Sequence, residues 1–276
     1  MTANHDQAEY WTTQTSWVRE QDAMDACLQP VLDGVIARAN LASGEHVLDI
    51  GCGTGASLLA ASTRVGAAGR VFGADISPAL LGLATQRTAG CSNIQTQEVD
   101  AQSGDLGQGY DVCLSRFGVM FFEDSTAAFA NIARAVKPDG RFALGVWGDA
   151  RQNPYFMDAA RAAHAVFGEM PKVDRTLPGP FAFEDPARVR PMLEAAGLKD
   201  VTIMPTQLDL TPRGDLGDFA DLCFAIGPAA RALAYFEADA SGKAKLRDAL
   251  IDIYSPYQTG QAVRIPAMIN FITARA

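Results

Sequence analysis

The sequence predicts an α/β protein with a doubly wound, mostly parallel sheet. Over residues 46–147, short apolar segments with the composition of strands alternate with helical segments, which is the pattern of a parallel sheet. A glycine-rich turn joins the first strand to the next helix, so the backbone there can approach a ligand closely. The chain has 276 residues, 48% of them hydrophobic and 20% charged, and can therefore bury a full core.

Seven segments have the length and composition of strands. The predicted strands span residues 46–50, 70–74, 94–99, 110–114, 142–147, 201–204 and 262–274. Ligands of doubly wound sheets bind outside the carboxyl ends of the strands. The residues at these ends are therefore the first candidates for a binding site.

Helices are predicted before and between these strands. Residues 22–38 repeat apolar side chains at helical spacing and predict an amphipathic helix. Ser77 and Pro78 favour a helix start, because serine caps unpaired amides and proline suits the first helical position. Residues 125–136 predict a helix that stops at Lys137-Pro138-Asp139-Gly140. Further helices are predicted over residues 56–65 and 186–196.

Two less regular stretches in the second half predict insertions into the sheet domain. The first is rich in proline and aromatic residues, and the second is mostly helical. We expect both to form a helical cap over the sheet. The predicted units are an N-terminal helical segment (1–40), a core (41–150), a cap insertion (151–184), a core continuation (185–212), a helical cap insertion (213–260) and a last core strand (261–276).

Charge and composition exclude several classes of partner. The net charge of −9 argues against binding to a phosphate backbone, so no nucleic-acid partner is expected. No apolar run reaches the ~20 residues of a membrane helix, and the first residues lack a signal-peptide core. Five scattered cysteines without a CxxC pair predict reduced thiols and a cytoplasmic protein. The three histidines lack metal-ligand spacing, so no metal site is expected.

The turn after the first strand fits two kinds of cofactor. Gly51, Gly53 and Ala56 satisfy the pattern G-x-G-x-x-G/A of dinucleotide-binding proteins. However, Asp49 lies two residues before the first glycine, where the strand of a dehydrogenase usually stays apolar. Acidic residues at the ends of the next two strands point away from a nicotinamide cofactor as well.

The chain resembles the class I S-adenosylmethionine-dependent methyltransferases, and most closely the branch similar to the ubiquinone/menaquinone-biosynthesis enzymes. The resemblance covers about residues 40–147. It implies a seven-stranded Rossmann-like sheet, S-adenosylmethionine as cofactor, S-adenosylhomocysteine as product, and in-line methyl transfer to a small molecule. The matching positions are residues 47–55, Asp75, Asp100-Ala101, residues 114–117, and Lys137–Arg141, in which Asp139 replaces a glycine.

The same resemblance implies a role for each cofactor-binding residue. Gly51, Gly53 and Gly55 would let the backbone lie close to the methionyl part of the cofactor. Asp49 would accept a hydrogen bond from the α-ammonium group, directly or through water. Asp75 would accept both ribose hydroxyls, since a carboxylate is a paired acceptor.

The remaining implied residues would surround the adenine and the reacting end of the cofactor. Asp100 would accept from the adenine amino group, and the Ala101 amide would donate to the ring. The residues expected to flank the cofactor or to contact its methyl and methionyl end are Ile76, Phe117, Ser115 and Arg116.

His164 is the candidate catalytic base. It is the only histidine in the predicted first cap insertion, and the imidazole pKa suits a base. A base is needed only if the acceptor keeps its proton at neutral pH, as a phenol or an alcohol does. The alanine-rich helical sequence around it, residues 158–166, is equally compatible with a structural histidine.

The sequence leaves the acceptor open. The acceptor atom can be O, N, C or S, and a quinone precursor, a polyketide-like phenol, a lipid headgroup or a small thiol all fit an apolar, aromatic cap. Two other functions are compatible with the glycine motif. They are an NAD(P)-dependent oxidoreductase and a regulatory protein that binds the cofactor without methyl transfer. The oligomeric state is also open, with a homodimer among the possibilities.

Overall fold

The computed structural model describes residues 4–276 and contains a seven-stranded sheet. The described residues contain nine strands in all, which are β1 (His46–Ile50), β2 (Arg70–Asp75), β3 (Ile94–Glu98), β4 (Tyr110–Arg116), β5 (Val136–Trp147), β6 (Lys199–Leu210), β7 (Gln258–Thr259), β8 (Ala262–Val263) and β9 (Ile265–Arg275). Strands β7 and β8 form a separate small ladder, and the other seven lie in the order β3-β2-β1-β4-β5-β9-β6.

The sheet is mostly parallel, which confirms the predicted fold class. Strands β1 to β5 pair in parallel, whereas β9 is antiparallel to both of its neighbours, β5 and β6. Strand β1 lies between β2 and β4, so the strand order reverses at β1. In an open α/β sheet the crevice at such a switch point is where ligands bind. The carboxyl end of β1 is therefore the expected centre of the site.

Helices cover the sheet and form the cap. They are α1 (His5–Thr13), α2 (Ser16–Arg19), α3 (Gln21–Ala39), α4 (Ala56–Val65), α5 (Pro78–Thr88), α6 (Ser125–Ala135), α7 (Pro154–Phe167), α8 (Pro186–Ala195), α9 (Leu216–Ala225), α10 (Pro228–Tyr235) and α11 (Ala240–Tyr254). Short 3-10 turns lie at Gly118–Phe121, Ala150–Gln152 and Ser255–Tyr257.

Local sequence determines where several helices begin. The Ser77 hydroxyl accepts the amide of Leu80, and Pro78 occupies the first position of α5, as predicted. The carboxylates of Asp124 and Asp215 cap α6 and α9 in the same way. Each cap pairs an amide that the helix itself leaves without a partner.

Helix α3 packs closely against the middle of the sheet. Its buried face runs from Met24 to Ala39 and contacts β4, β5 and β6. A Cβ atom at Gly145 of β5 would lie 2.8 Å from the Val35 side chain, so the glycine lets helix and strand approach. This packing holds the first turns of α3 near the ends of the strands.

Two strands are longer than predicted. Strand β5 begins at Val136 rather than at residue 142, because Val136 pairs with Tyr110 before residues 137–140 bulge out of the ladder. Strand β6 extends from Lys199 to Leu210 instead of covering residues 201–204. It is an edge strand in which most residues are at least partly exposed, and it contains Pro205, which an edge strand tolerates.

Four helices from the second half pack into one layer. Helix α7 contacts α10 and α11, and α9 contacts the same two helices. Aromatic side chains join them, since the Phe219 ring lies 4.9 Å from that of Tyr254 and 6.2 Å from that of Tyr155. The Tyr254 hydroxyl also donates to the Tyr155 carbonyl oxygen at 3.0 Å. Helices from both predicted insertions are thus joined through a shared core.

Candidate functional site

The turn after β1 has the left-handed backbone that glycine allows. The φ angles are +66° at Gly51, +55° at Gly53 and +90° at Gly55. A Cβ at Gly51 would lie 2.5 Å from the Cα of Gly118, whereas a Cβ at Gly53 would meet no atom within 4 Å. Gly51 is thus required by packing. Gly53 instead borders open space that a side chain would fill, as expected for a ligand cradle.

Asp75 ties the end of β2 to this turn. Its carboxylate accepts the Gly53 amide at 2.7 Å and the Ser77 amide at 2.9 Å. Burial raises the pKa of Asp75, while these amide donors oppose the rise. An ionised carboxylate has about four acceptor positions. Asp75 can therefore hold the turn and still accept hydrogen bonds from a ligand.

Asp49 is fully buried beside the turn. One carboxylate oxygen, Oδ2, accepts the Ser57 hydroxyl at 2.5 Å. The other, Oδ1, has no hydrogen-bond partner in the described part of the chain. Burial raises the pKa of Asp49 to about 7, against the lowering effects of Ser57 and of the Arg116 charge. A buried acceptor without a donor is costly, which indicates that Oδ1 has a ligand partner.

Arg116 at the end of β4 supplies a buried hydrogen-bond donor that complements the buried acceptor of Asp49. Its Nη2 atom lies 3.2 Å from the Asp25 carboxylate. Its Nη1 atom is buried and pairs with no acceptor among residues 4–276. Asp49 pairs with Leu114 across β1 and β4, and Arg116 follows Leu114 by two residues, so both charged side chains lie on the same face of neighbouring strands. The switch point thus presents one unpaired buried acceptor and one unpaired buried donor.

Ser115 lies at the site but is fully engaged with the backbone. Its hydroxyl donates to the Ile50 carbonyl oxygen at 2.7 Å and accepts the Gly118 amide at 3.0 Å. The side chain is completely buried. Ser115 therefore links the end of β1 to the turn after β4 through its two hydrogen bonds.

Asp100 and Ala101 lie in the loop after β3, next to the end of β2. Asp100 accepts the Gln102 amide at 2.9 Å and the Ser103 hydroxyl at 3.4 Å. The Ala101 carbonyl oxygen accepts from Asn131 at 3.1 Å. These bonds give the loop a defined shape at the same edge of the sheet as Asp75.

Ile76 and Phe117 are half-buried at the ends of β2 and β4. Phe117 has a φ of +67°, a strained conformation for an aromatic residue. Its ring stacks on Trp147 with centroids 4.5 Å apart and planes 10° apart. Trp147 in turn meets the edge of Phe156, and Phe156 meets Phe181. These four rings form an aromatic wall between the sheet and helix α7.

Helix α1 lies across the site. The Trp11 carbonyl oxygen accepts the Ser77 hydroxyl at 3.1 Å, just after β2. The Trp11 ring meets Phe121 edge-on at 5.1 Å, and Asn4 accepts the Glu123 amide at 3.2 Å, both just after β4. Since β1 lies between β2 and β4, α1 passes over the glycine-rich turn.

His164 does not face the site. It lies on the exposed face of α7, whereas the buried face carries Tyr155, Asp158 and Ala159 among others. Its carbonyl oxygen accepts the Gly168 amide at the end of α7, at 2.8 Å. His164 thus lies on a cap helix rather than at the strand ends where the other predicted site residues gather.

Four residues of the site were not identified from the sequence. Ser57 pairs with Asp49, Gly118 packs on the glycine turn, and Asp25 holds Arg116 and Arg87. The spacing of Ser57, eight residues after Asp49 and within the next helix, is the one local signal. The others are brought together only by the tertiary fold.

Residues 4–276 contain no group of three or more His, Cys, Asp or Glu side chains that could hold a metal ion. Within the same residues, no helix is both long and apolar enough to span a bilayer.

Comparison with known proteins assigns the sheet domain to a family. Residues 47–140 match the family described as "Methyltransferase domain". Aklanonic acid methyltransferase DauC of a Streptomyces species is 36% identical over 105 residues, which are 37% of this chain and 48% of that protein. Nocamycin O-methyltransferase of Saccharothrix syringae is 28% identical over 194 residues, 66% of this chain and 69% of that protein. Demethylmenaquinone methyltransferase of Lactobacillus johnsonii is 32% identical over 108 residues, 37% of this chain and 43% of that protein.

The alignments to aklanonic acid and demethylmenaquinone methyltransferases span about half the length of those relatives. A solved structure, the YcgJ protein of Bacillus subtilis, shares the fold over 90% of this chain and 98% of its own, with a TM-score of 0.55 and 17% identity. The sheet order with one antiparallel strand between β5 and β6 also differs from the order 3-2-1-4-5-6 of classic dinucleotide-binding folds.

Fold and family together define a Rossmann-like methyltransferase domain. Residues 47–140 form a methyltransferase domain of the class I, S-adenosylmethionine-dependent type, and S-adenosylmethionine is the cofactor of this domain. This confirms the family, fold and cofactor predicted from the sequence, and it leaves the nicotinamide alternative without support.

Proposed function

We propose that this chain transfers the methyl group of S-adenosylmethionine to a small, planar, largely apolar molecule bound between the sheet and the cap. One observation carries the cofactor site. Asp49 Oδ1 and Arg116 Nη1 are both buried and unpaired within residues 4–276, and the two residues lie on the same face of the neighbouring strands β1 and β4. The amino acid end of the cofactor offers an ammonium donor and a carboxylate acceptor, which match this pair in number and charge.

The other residues of the edge suit the rest of the cofactor. Gly53 borders open space beside the switch point. Asp75 follows on the next strand with acceptor positions for the ribose hydroxyls. Asp100 and Ala101 lie one strand further, at the place that the adenine would reach. The order of the strands therefore matches the order of groups along the cofactor.

The cofactor supplies an electrophilic methyl group on its sulfonium when bound. The chain has to orient the two reactants and to exclude water. Asp49 and Arg116 orient the methionyl end, and helix α1 covers the turn from the side of Ser77 and Phe121. Orientation of this kind can supply ~7–11 kcal/mol of the barrier reduction.

The aromatic wall indicates the shape of the acceptor. Phe117, Trp147, Phe156 and Phe181 join the ends of β4 and β5 to the cap. Trp147 is stacked between Phe117 and Tyr155, so stacking with a planar ring is left to the other face of the half-buried Phe117. The named relatives act on aklanonic acid, nocamycin and demethylmenaquinone. We therefore infer a ring compound as acceptor and leave the acceptor atom to experiment.

A cytoplasmic location belongs to the same proposal. All five cysteines are free thiols, and four of them are buried. Free thiols suit a reducing compartment. Cell fractionation that recovers the native protein with a cytoplasmic marker would agree with this location, whereas recovery with an envelope marker would not.

The first test is calorimetric titration of ligand-stripped protein with S-adenosylmethionine, S-adenosylhomocysteine and NADH. We expect saturable one-site binding of the first two and none of NADH. A panel of phenols, quinols, carboxylic acids, amines and thiols is then incubated with labelled cofactor. Label transfer to a ring compound supports the proposal. Cofactor binding without transfer to any class would favour a regulatory protein, and NADH binding alone would overturn the site.

A further inference from the structure

Asp25 on helix α3 contacts two arginines that lie far away in sequence. Its Oδ2 atom is 2.8 Å from Nη2 of Arg87, and its Oδ1 atom is 3.2 Å from Nη2 of Arg116. Gln21, one turn earlier, donates to Oδ2 at 2.6 Å. The three charged side chains are only 13–22% exposed. A partly buried arrangement of this kind is weakly screened by solvent.

The second nitrogen of each guanidinium points to the cofactor site. Arg87 Nη1 donates to the Thr54 carbonyl oxygen at 2.7 Å, in the centre of the glycine-rich turn. Arg116 Nη1 is the unpaired buried donor on the strand next to that of Asp49. A guanidinium is planar and rigid, so holding Nη2 also determines where Nη1 lies. Asp25 therefore positions a donor on the turn and a donor in the pocket.

The charge balance of this cluster is incomplete. Two guanidinium groups face the one carboxylate of Asp25, and Asp49 on the neighbouring strand, whose pKa burial raises to about 7, offsets the second positive charge only in part at neutral pH. The remaining charge is suited to a carboxylate, and it resides on the arginine whose Nη1 has no protein acceptor in the described range. A purely structural link between α3 and the sheet would need neither the second arginine nor an unpaired donor.

We propose that Asp25 is a positioning residue that holds Arg116 in place for the carboxylate of the bound cofactor and so sets the preference for S-adenosylmethionine over its decarboxylated form. This rests on the function proposed above. Asp25 touches no cofactor atom in this scheme and acts through Arg116. Asp25 also contacts Arg87, which donates to the Thr54 carbonyl oxygen. One carboxylate therefore helps to place both the glycine-rich turn and the Arg116 donor.

The test compares two ligands that differ by one carboxylate. Dissociation constants are measured by calorimetry for S-adenosylmethionine and decarboxylated S-adenosylmethionine. In the wild type we expect the former to bind roughly tenfold or more tightly, since hydrogen bonds to charged groups are strong. In Asp25→Asn and Asp25→Ala the preference should fall towards one. Affinity for the decarboxylated ligand should fall less than affinity for S-adenosylmethionine, since only the latter has the carboxylate that Arg116 would meet.

Asp33→Asn is the matched control, because Asp33 lies on the same helix, is exposed, and accepts from the exposed Gln29 side chain. It should keep the wild-type preference. Asp25→Glu, which restores the charge, should recover part of it, and circular dichroism with a melting curve verifies that each variant is folded. Equal weakening of both ligands with an unchanged ratio would overturn the positioning role. Failure of the wild type to bind either ligand would instead reject the proposed function.

Discussion

Gly51 and Gly118 touch through their backbones, so the turn after β1 rests directly on the turn after β4. A Cβ at Gly51 would lie 2.5 Å from the Gly118 Cα, and a Cβ at Gly118 would lie 2.7 Å from the Gly51 Cα and 2.5 Å from the Ile50 carbonyl oxygen. The Ser115 hydroxyl closes the same junction with two hydrogen bonds. The switch point therefore has a rigid wall made of backbone.

Gly118→Ala should destabilise the protein and weaken cofactor binding together. The added methyl group meets backbone atoms, which cannot swing away, and we expect a loss of about 1–3 kcal/mol. Chemical denaturation and calorimetry measure both effects. Gly82→Ala is the control, since Gly82 lies in helix α5 with no atom near its Cβ position. That variant should gain roughly 0.5–1 kcal/mol. A Gly118 variant as stable as the wild type would contradict the contact.

Gly53→Ala should leave the fold intact and abolish cofactor binding. Its backbone is left-handed, which costs an alanine about 1–2 kcal/mol, but its Cβ meets no protein atom. Gly260→Ala has a similar φ of +62° and similar open space in the small ladder, away from the site. Both variants should lose similar stability, and only the Gly53 variant should lose affinity for S-adenosylhomocysteine. Equal affinities would show that the space at Gly53 holds no ligand.

Cofactor affinity should rise with pH between 6 and 7. Burial raises the pKa of Asp49 to about 7 in the ligand-free protein, so the acid is mostly protonated at pH 6. Only the ionised form can accept from the ammonium group, and the apparent dissociation constant varies inversely with its fraction. The affinity should therefore improve roughly fivefold from pH 6 to pH 7. Above pH 8 the ammonium group itself begins to lose its proton.

Calorimetry in two buffers of different ionisation enthalpy tests this linkage. At pH 7 about half a proton should be released for each cofactor bound, as Asp49 ionises. Asp49→Asn should bind weakly, with no proton release and no pH dependence over this window. Proton uptake by the wild type would show that Asp49 is not the group that meets the ammonium.

Ser115→Ala separates a structural role from direct cofactor contact. Removing the hydroxyl leaves the Ile50 carbonyl and the Gly118 amide unpaired in a fully buried place, which should cost about 1–3 kcal/mol. Well below the melting temperature, cofactor affinity should change by less than about threefold. Ser103→Ala, which removes a longer hydrogen bond of 3.4 Å to Asp100, should lose less stability than Ser115→Ala. A stable Ser115 variant with strongly reduced affinity would favour cofactor contact.

Local sequence signals predicted the elements that position the cofactor. The glycine-rich turn and the Ser77-Pro78 cap depend on residues a few positions apart, and both occur where expected. The length of strand β6 was underestimated because most of its residues are at least partly exposed and many of them are polar, which hides the apolar pattern of a strand. The bulge at residues 137–140 depends on the register with β4, which is a non-local property.

The contacts of Asp25 with Arg87 and Arg116 could not be read from the sequence. Asp25 is separated by 62 residues from Arg87 and by 91 residues from Arg116, and in the sequence it appears as one polar position on an amphipathic helix. The position of His164 is a different case. Its residue type suited a base, but the phase of α7 turns it to the exposed face, and that phase depends on packing against the cap.

The position of β9 determines when the sheet can form during synthesis. This strand comes after every other element in the chain, yet it lies between β5 and β6 and pairs with both. Among the described strands, β6 neighbours only β9, so β6 emerges from the ribosome with both edges unpaired. Some fifty more residues are synthesised before β9 begins. Assembly of this half of the sheet is therefore a late step that follows the cofactor-binding half. During this interval the nascent chain depends on its charged residues and Pro205 to avoid pairing with other chains.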